Sequence, residues 1–190
     1  RFQEGFFGCV VAVDAGYAHL EALGCVPDVV VGDFDSLGYV PEGDDVEVHP
    51  AHKDKSDLEL AFDLVLERGF HTVMVYGALG GRLDHTMAAV QMCARFAEQG
   101  LDITFIGLDY ALHVLVGPAT YELPQLDRGT VSVFSATDES RGVTEHGMEY
   151  PLEDALLTNR TTLGLSNELL GCPASVQVDN GTLYVFHPIP

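Results

Sequence analysis

Apolar positions follow two patterns along this chain, and the pattern changes once. Residues 8–13 (GCVVAV), 28–31 (DVVV), 71–76 (HTVMVY) and 102–106 (DITFI) are short, mainly apolar runs. Such runs suit parallel strands covered on both faces by helices. Helical patterns lie between them. Within 57–68, Leu58, Ala61, Phe62 and Val65 recur at helical spacing, Ser56 and Glu59 form a capping box, and Gly69 supplies the stop. A second helix is predicted over 85–99 ahead of Gly100, and a shorter one over 16–23 ahead of Gly24. This alternation predicts an N-terminal α/β domain, residues 1–116, built on a doubly wound, mostly parallel sheet.

Near Gly117-Pro118 the pattern turns to short alternating strands, at 120–123, 130–134, 143–146 and 162–165. The clearest pair is VQVDNGTLYVF, where Asn180-Gly181 is a type I′ turn signal and predicts a hairpin. No long helical pattern follows. Residues 117–190 therefore read as an all-β domain, a sandwich or a barrel, with the boundary at about 112–120. There is no internal repeat and no low-complexity segment.

Composition fits a core-bearing globular chain. Of 190 residues, 47% are apolar and 20% charged, which excludes wholesale disorder. No stretch approaches the roughly 20 apolar residues that span a bilayer. The opening RFQEGFFGCVVAVDAG has no secretory-signal pattern. It also lacks an initiator methionine, so the sequence is expected to begin part-way into the natural protein. The net charge of −20 comes from 29 acidic and 9 basic residues. Such a surface repels phosphate backbones and anionic lipid, so neither nucleic acid nor membrane is expected as a partner. Most of this charge serves solubility, yet clustered carboxylates can handle a polyphosphate when divalent cations sit between them. Cys9, Cys25, Cys93 and Cys172 have no C-x-x-C spacing. Each reads as a small buried hydrophobe in a reducing, cytoplasmic setting.

The candidate chemistry is positional. Three expected strands run directly into polar clusters: Asp14-Ala15-Gly16, Gly32-Asp33-Phe34-Asp35-Ser36, and GALGGRLDH at 77–85. If the strands are parallel, these loops share the sheet edge where open α/β proteins bind ligands, and Asp57 can add to it. Asp33 and Asp35 form a D-x-D whose carboxylates can share a hard cation such as Mg²⁺; an Asp-rich turn is the alternative. Gly77, Gly80 and Gly81 let backbone amides approach an anion, and Arg82 can clamp a phosphate. Asp84 is either a catalytic group or the N-cap of the helix at 85–99. His85 either orients a phosphate or faces solvent. The stretch is neither a Walker A loop nor a dinucleotide fingerprint. His113, His146 and His187 read as structural residues, and His49 and His52 lack ligand spacing. Lys53 and Lys55, the two lysines, lie in a loop before Asp57 where they are either solvated or in contact with phosphate.

Taken in order, DAGYAHLEALG, PDVVVGDFDSL, KSDLELAF, GALGGRLDHTMA and LGLSNELLG resemble the thiamine pyrophosphokinase family, over about residues 10–186. The resemblance implies an α/β catalytic domain followed by a β-sandwich that binds thiamine and dimerises. It implies a homodimer with sites at the subunit interface, ATP as co-substrate, Mg²⁺ as cofactor, and transfer of a pyrophosphoryl group to the thiamine hydroxyl with release of AMP. By the same resemblance Asp33, Asp35 and Asp57 are the catalytic magnesium ligands. Asp14 is the acidic residue after the preceding strand. Gly80, Gly81, Arg82, Asp84 and His85 fall in the nucleotide-binding stretch. Ser166 and Asn167 match the segment that faces thiamine, with a polar turn as the alternative. The chain departs from the family in three places. Asp14-Ala15-Gly16-Tyr17 stands where D-G-G-A is common, Ser56 replaces a common Thr, and a further first strand with its Gly-containing loop does not appear. Two rival readings are a Mg²⁺-dependent nucleotide pyrophosphohydrolase and a thiamine or nucleotide sensor without turnover.

Overall fold

Val29, Val30 and Val31 are 0%, 5% and 0% exposed, so successive side chains on opposite faces of one strand are all covered. This strand is the centre of the first of two units, Arg1–Gly69 and Phe70–Pro190, into which the chain divides in a computed structural model describing residues 6–34, 38, 39, 46–48 and 54–190. In that first unit β1 (Val11–Val13), β2 (Val29–Gly32) and β3 (Val46–Val48) form a parallel sheet in the order β1-β2-β3. Val11 pairs with Val29, and Val30 with Val46. Helix α1 (Gly16–Ala22) packs on β1, and α2 (Asp57–Glu67) on β1 and β2. Ala12, Val30 and Phe34 form the core with Tyr17 and Leu20. The α2 start is as predicted: Ser56 Oγ accepts the Glu59 amide at 3.2 Å, and Gly69 beyond the last turn has φ of 76°.

The second unit begins with β4 (Thr72–Tyr76), α3 (Leu83–Glu98) and β5 (Asp102–Ile106), whose strands pair in parallel. Next come β6 (Tyr110–Val116), β7 (Ala119–Glu122), β8 (Thr130–Ser135) and β9 (Ser140–His146). They are followed by β10 (Leu152–Leu157), β11 (Gly164–Glu168), β12 (Ser175–Val178) and β13 (Thr182–Pro188). Two sheets result, ordered β11-β8-β13-β6-β5-β4 and β10-β9-β12-β7. Val131, Val133, Leu183 and Val185 of one sheet share a core with Val143, Leu157, Val176 and Val178 of the other. Helix α3 packs on the larger sheet, with the Tyr184 hydroxyl donating to the Val90 carbonyl at 2.8 Å and Thr182 Oγ1 to Glu98 at 2.7 Å.

The mixed α/β character is as expected, but four features differ. First, the single doubly wound sheet is corrected: among the described residues β4 and β5 belong to the six-stranded sheet, not to the sheet of β1 and β2. The cause is β6. The chain turns back tightly after β5, the Gly107 amide bonding the Tyr110 carbonyl at 2.8 Å, and β6 then pairs with β5 on one side and β13 on the other. Second, Asn180-Gly181 does not close a hairpin, because β12 and β13 lie in different sheets. Each strand faces its apolar residues across the core instead of pairing with the other. Gly181, at φ 104°, passes so close to Ser140 that a Cβ would lie 2.8 Å from its Cα. Third, α3 starts at Leu83, so Asp84 stands in its first turn and Arg82, not Asp84, occupies the N-cap position. Fourth, Cys25 and Cys93 are buried, but Cys9 is half-buried and Cys172 exposed.

His113 and His187 are structural, as expected. Both are buried, with Tyr121 stacked 3.9 Å from His113 and its hydroxyl 3.0 Å from His187 Nε2. Burial pushes His113 down to about 4 and His187 in the same direction, so both rings are neutral at pH 7. Among the described residues no helix is long and apolar enough to cross a membrane.

Candidate functional site

The carboxyl ends of β1 and β2 lie side by side. The Asp14 amide donates to the Val31 carbonyl at 2.8 Å, which holds Asp14 against the end of β2. Gly32 permits this: a Cβ there would sit 3.0 Å from Asp14 Cα and 3.3 Å from the Phe34 ring. Asp33 follows at once and is half-buried. The residues on either side of the junction are bent out of the ordinary backbone regions, Asp14 with φ of 45° and Phe34 with φ of 60°. A bulky residue at positive φ is costly and persists only when its surroundings hold it. Here burial of the Phe34 ring to 2% exposure is what holds it. Asp57 is the first residue of α2, where negative charge suits the helix dipole.

Asp14, Asp33 and Asp57 thus mark two strand ends and a helix start of one unit, all offering hard oxygen donors of the kind Mg²⁺ takes. Asp35, Lys53, His49 and His52 lie outside the described residues. Among those described, no three acidic, histidine or cysteine side chains converge as a metal cluster. Lys55 bonds Asp63 of α2 at 2.6 Å, which accounts for its charge locally.

In the second unit the loop from β4 to α3 carries Gly77, Gly80 and Gly81 at φ of 76°, 117° and 66°. Among the described residues no heavy atom lies within 4 Å of a Cβ built at any of them, so backbone conformation rather than space requires glycine. Thr86 Oγ1 accepts the Gly80 amide at 3.1 Å and folds the loop onto the first turn of α3. A lone Thr in a helix carries no signal of such a role in the sequence. Arg82 grips Asp84 with two bonds, Nε to Oδ1 at 3.1 Å and Nη2 to Oδ2 at 2.5 Å. The guanidinium holds the Asp84 carboxyl down at about 2. Both side chains are exposed, at 70% and 65%, so the fork can exchange one oxyanion for another. His85 is exposed beside them. Gly80, Gly81, Arg82, Asp84 and His85 are therefore brought together at one helix N-terminus, a setting suited to anions.

On β11 the two predicted residues separate in role. Ser166 is exposed, has φ of 62°, and donates its amide to Ser132 Oγ at 3.1 Å. Asn167 is buried and fully engaged. Its Oδ1 accepts from the Tyr150 and Glu168 amides, each at 2.9 Å. Its Nδ2 donates to Glu145 Oε2 at 2.6 Å and to the Tyr150 carbonyl at 2.8 Å. A cavity of about 250 Å³ opens here, lined among others by Tyr150, Leu163, Leu165 and Ser166.

The family model described as thiamin pyrophosphokinase, catalytic domain, matches residues 7–105, which is 99 of the 190 residues. The chain belongs to the thiamine pyrophosphokinase family. The family's vitamin B1 binding domain matches residues 120–183. The resemblance read from the five sequence blocks is thereby upheld. A thiamine pyrophosphokinase of Bacillus subtilis (strain 168) is 28% identical over 181 residues, covering 91% of this chain and 84% of that protein. The crystal structure of thiamine pyrophosphokinase from Bacillus subtilis superposes with a TM-score of 0.81 at 26% identity, covering 94% of this chain and 86% of that one. That of thiamin pyrophosphokinase from Geobacillus thermodenitrificans gives 0.82 at 29% identity, with coverages of 98% and 89%.

Proposed function

We propose that this chain is a thiamine diphosphokinase that moves a pyrophosphoryl group from ATP to the hydroxyl of thiamine and releases AMP. The observation that carries the reading is the match of both family models in chain order, 7–105 and then 120–183. The strand-end placement of Asp14 and Asp33 supports it. Residues 1–116 are assigned nucleotide and metal binding, and residues 117–190 thiamine binding and dimerisation.

The charges dictate much of the mechanism. A triphosphate and a carboxylate cluster repel each other, so a divalent cation is needed at the acidic edge. Asp33, Asp35 and Asp57 would hold Mg²⁺, which supplies charge neutralisation on the transferred group. Arg82 exchanges Asp84 for a phosphate oxygen, and amides at Gly81 and the start of α3 complete that contact, while Gly80, its amide held by Thr86, fixes the turn of the loop. His85 orients a phosphate oxygen by hydrogen bonding. Ser166 contacts thiamine, while Asn167, its bonds all engaged, shapes the wall that presents Ser166. In-line placement of the acceptor hydroxyl against the β-phosphorus supplies the remaining acceleration, because a loose transition state demands little activation of the nucleophile.

ATP labelled at the β position tests this reading. Label in thiamine diphosphate, with AMP in equal amount, is expected. Label retained in ADP makes the protein an ordinary kinase. Labelled pyrophosphate released without thiamine makes it a hydrolase, and thiamine binding without turnover makes it a sensor. The sheet-end carboxylates suit a hydrolase equally; the match to a vitamin B1 binding domain favours the organic acceptor.

A homodimer is part of the reading. β10 and β11 are sheet edges, and Leu156, Leu163 and Leu165 on or beside them are 45%, 58% and 50% exposed, surface that a second copy would cover. Light scattering should give twice 20.5 kDa at micromolar concentration, and a single-chain mass would remove the dimer. The four cysteines, none in a disulfide, fit a cytoplasmic setting.

A further inference from the structure

Glu145 lies on β9 in an inward-facing position and is 0% exposed. Its Oε2 accepts Asn167 Nδ2 at 2.6 Å, while Oε1 is buried and makes no hydrogen bond among the described residues. An apolar side chain would fill this place at lower cost, since a buried carboxyl with one unmet oxygen is expensive. Burial pushes its carboxyl up, which favours the neutral acid. What distinguishes Glu145 from an apolar filler is its bond to Asn167.

Asn167 passes that bond on. It fixes the Tyr150 amide and carbonyl and the Glu168 amide. The link therefore runs from β9 in the smaller sheet to β11, the edge strand of the larger one. β11 is irregular at this point. Gly164 pairs with Val133 and Asn167 with Val131, so three steps on one strand oppose two on the other. The extra residue makes a bulge, with Ser166 in the left-handed region at φ 62°. An edge strand has a neighbour on one side only, so a bulge on it needs support from elsewhere. The Glu145–Asn167 bond supplies that support from the core. The bulge places Leu165 and Ser166 in the wall of the 250 Å³ cavity, at whose floor Glu145 and Asn167, both buried, complete the lining.

We propose that Glu145 is a positioning residue. Through Asn167 it fixes the Leu165–Ser166 bulge and thereby sets how well the cavity holds its organic ligand. That the ligand is thiamine rests on the function proposed above; that the bulge depends on Glu145 does not.

The test compares Glu145→Gln, which keeps an acceptor for Asn167, with Glu145→Leu, which keeps much of the volume but none. In Glu145→Leu, amide hydrogen exchange at residues 165–168 should accelerate at least about tenfold, with β12 and β13 little changed. The KM for thiamine should rise at least about tenfold while the KM for ATP stays put. Glu145→Gln should restore both. If Glu145→Leu fails to fold, Glu145→Asp carries the same comparison, because a side chain one methylene shorter cannot keep the 2.6 Å contact. Unchanged exchange at 165–168, equal acceleration across the whole sandwich, or a Gln variant as impaired as Leu would each overturn the positioning role. Faster exchange with an unchanged thiamine KM would overturn its link to the cavity. Exchange needs no turnover, so a protein that makes no thiamine diphosphate would refute the functional reading while this arm still decides the role of Glu145.

Discussion

Asp33→Asn should lower turnover at least about a thousandfold and leave the far-UV circular dichroism unchanged. The substitution keeps the shape of the side chain and removes only its charge. A metal-held phosphoryl group draws several kcal/mol of its stabilisation from charge, and each 1.36 kcal/mol is a factor of ten in rate. The junction at Asp33 is set by neighbours, by the Asp14 amide on the Val31 carbonyl and by the buried Phe34 ring. Asp35→Asn should behave alike. Steady-state rates at limiting Mg²⁺, measured beside circular dichroism, decide the matter. Near-normal rates in either variant would take the D-x-D out of the mechanism. Lost activity with a lost dichroism signal would make Asp33 structural.

What the sequence made legible was local. The fully covered strand at Val29–Val31, the Ser56 cap and the glycine stops at Gly24, Gly69 and Gly100 each depend on a few neighbouring residues, and each is found. The placement of Asp14, Asp33 and Asp57 at two strand ends and a helix start is legible for the same reason, since a strand or helix end can be read within a short window. What failed depended on partners far along the chain. The alternation of 176–178 and 182–186 says which face of each strand is apolar, but a hairpin and a crossing between two stacked sheets have the same alternation. The boundary expected at about 112–120 falls on the strand Tyr110–Val116, which joins the parallel pair to the sandwich through partners at 104–106 and 182–188. Asp84, a favoured cap residue, predicts a helix start at residue 85. Its carboxylate is taken by Arg82, and the helix begins earlier. Glu145 gave no signal at all. A single acidic residue in a strand looks like a solvated one until the register of β9 turns it inward.

Gly164→Ala should damage the cavity more than it damages the fold. Its φ is not in the left-handed region, so an alanine there faces a problem of space rather than conformation. The new Cβ would lie 2.4 Å from the Val133 carbonyl oxygen, 3.1 Å from Val133 Cβ and 3.2 Å from Glu145 Oε1. Something must move by the better part of an ångström. Val133 cannot easily do so, because β8 is paired on its other side with β13. β11 is an edge strand, so it is the one that lifts away. Overpacking of this kind costs about 1–3 kcal/mol, which a chain of this size shows as a fall of about 5 °C in melting temperature. The displaced strand carries Ser166, and misplacement of a binding group by about 1 Å can cost up to a hundredfold. The thiamine KM should therefore rise at least about tenfold while the ATP KM is held. Thermal denaturation and two KM values, taken on one preparation, settle it. A lower melting temperature with both KM values unchanged would remove the bulge from the thiamine site. Equal losses for thiamine and ATP would mean that the second unit as a whole, and not its edge strand, had been disturbed.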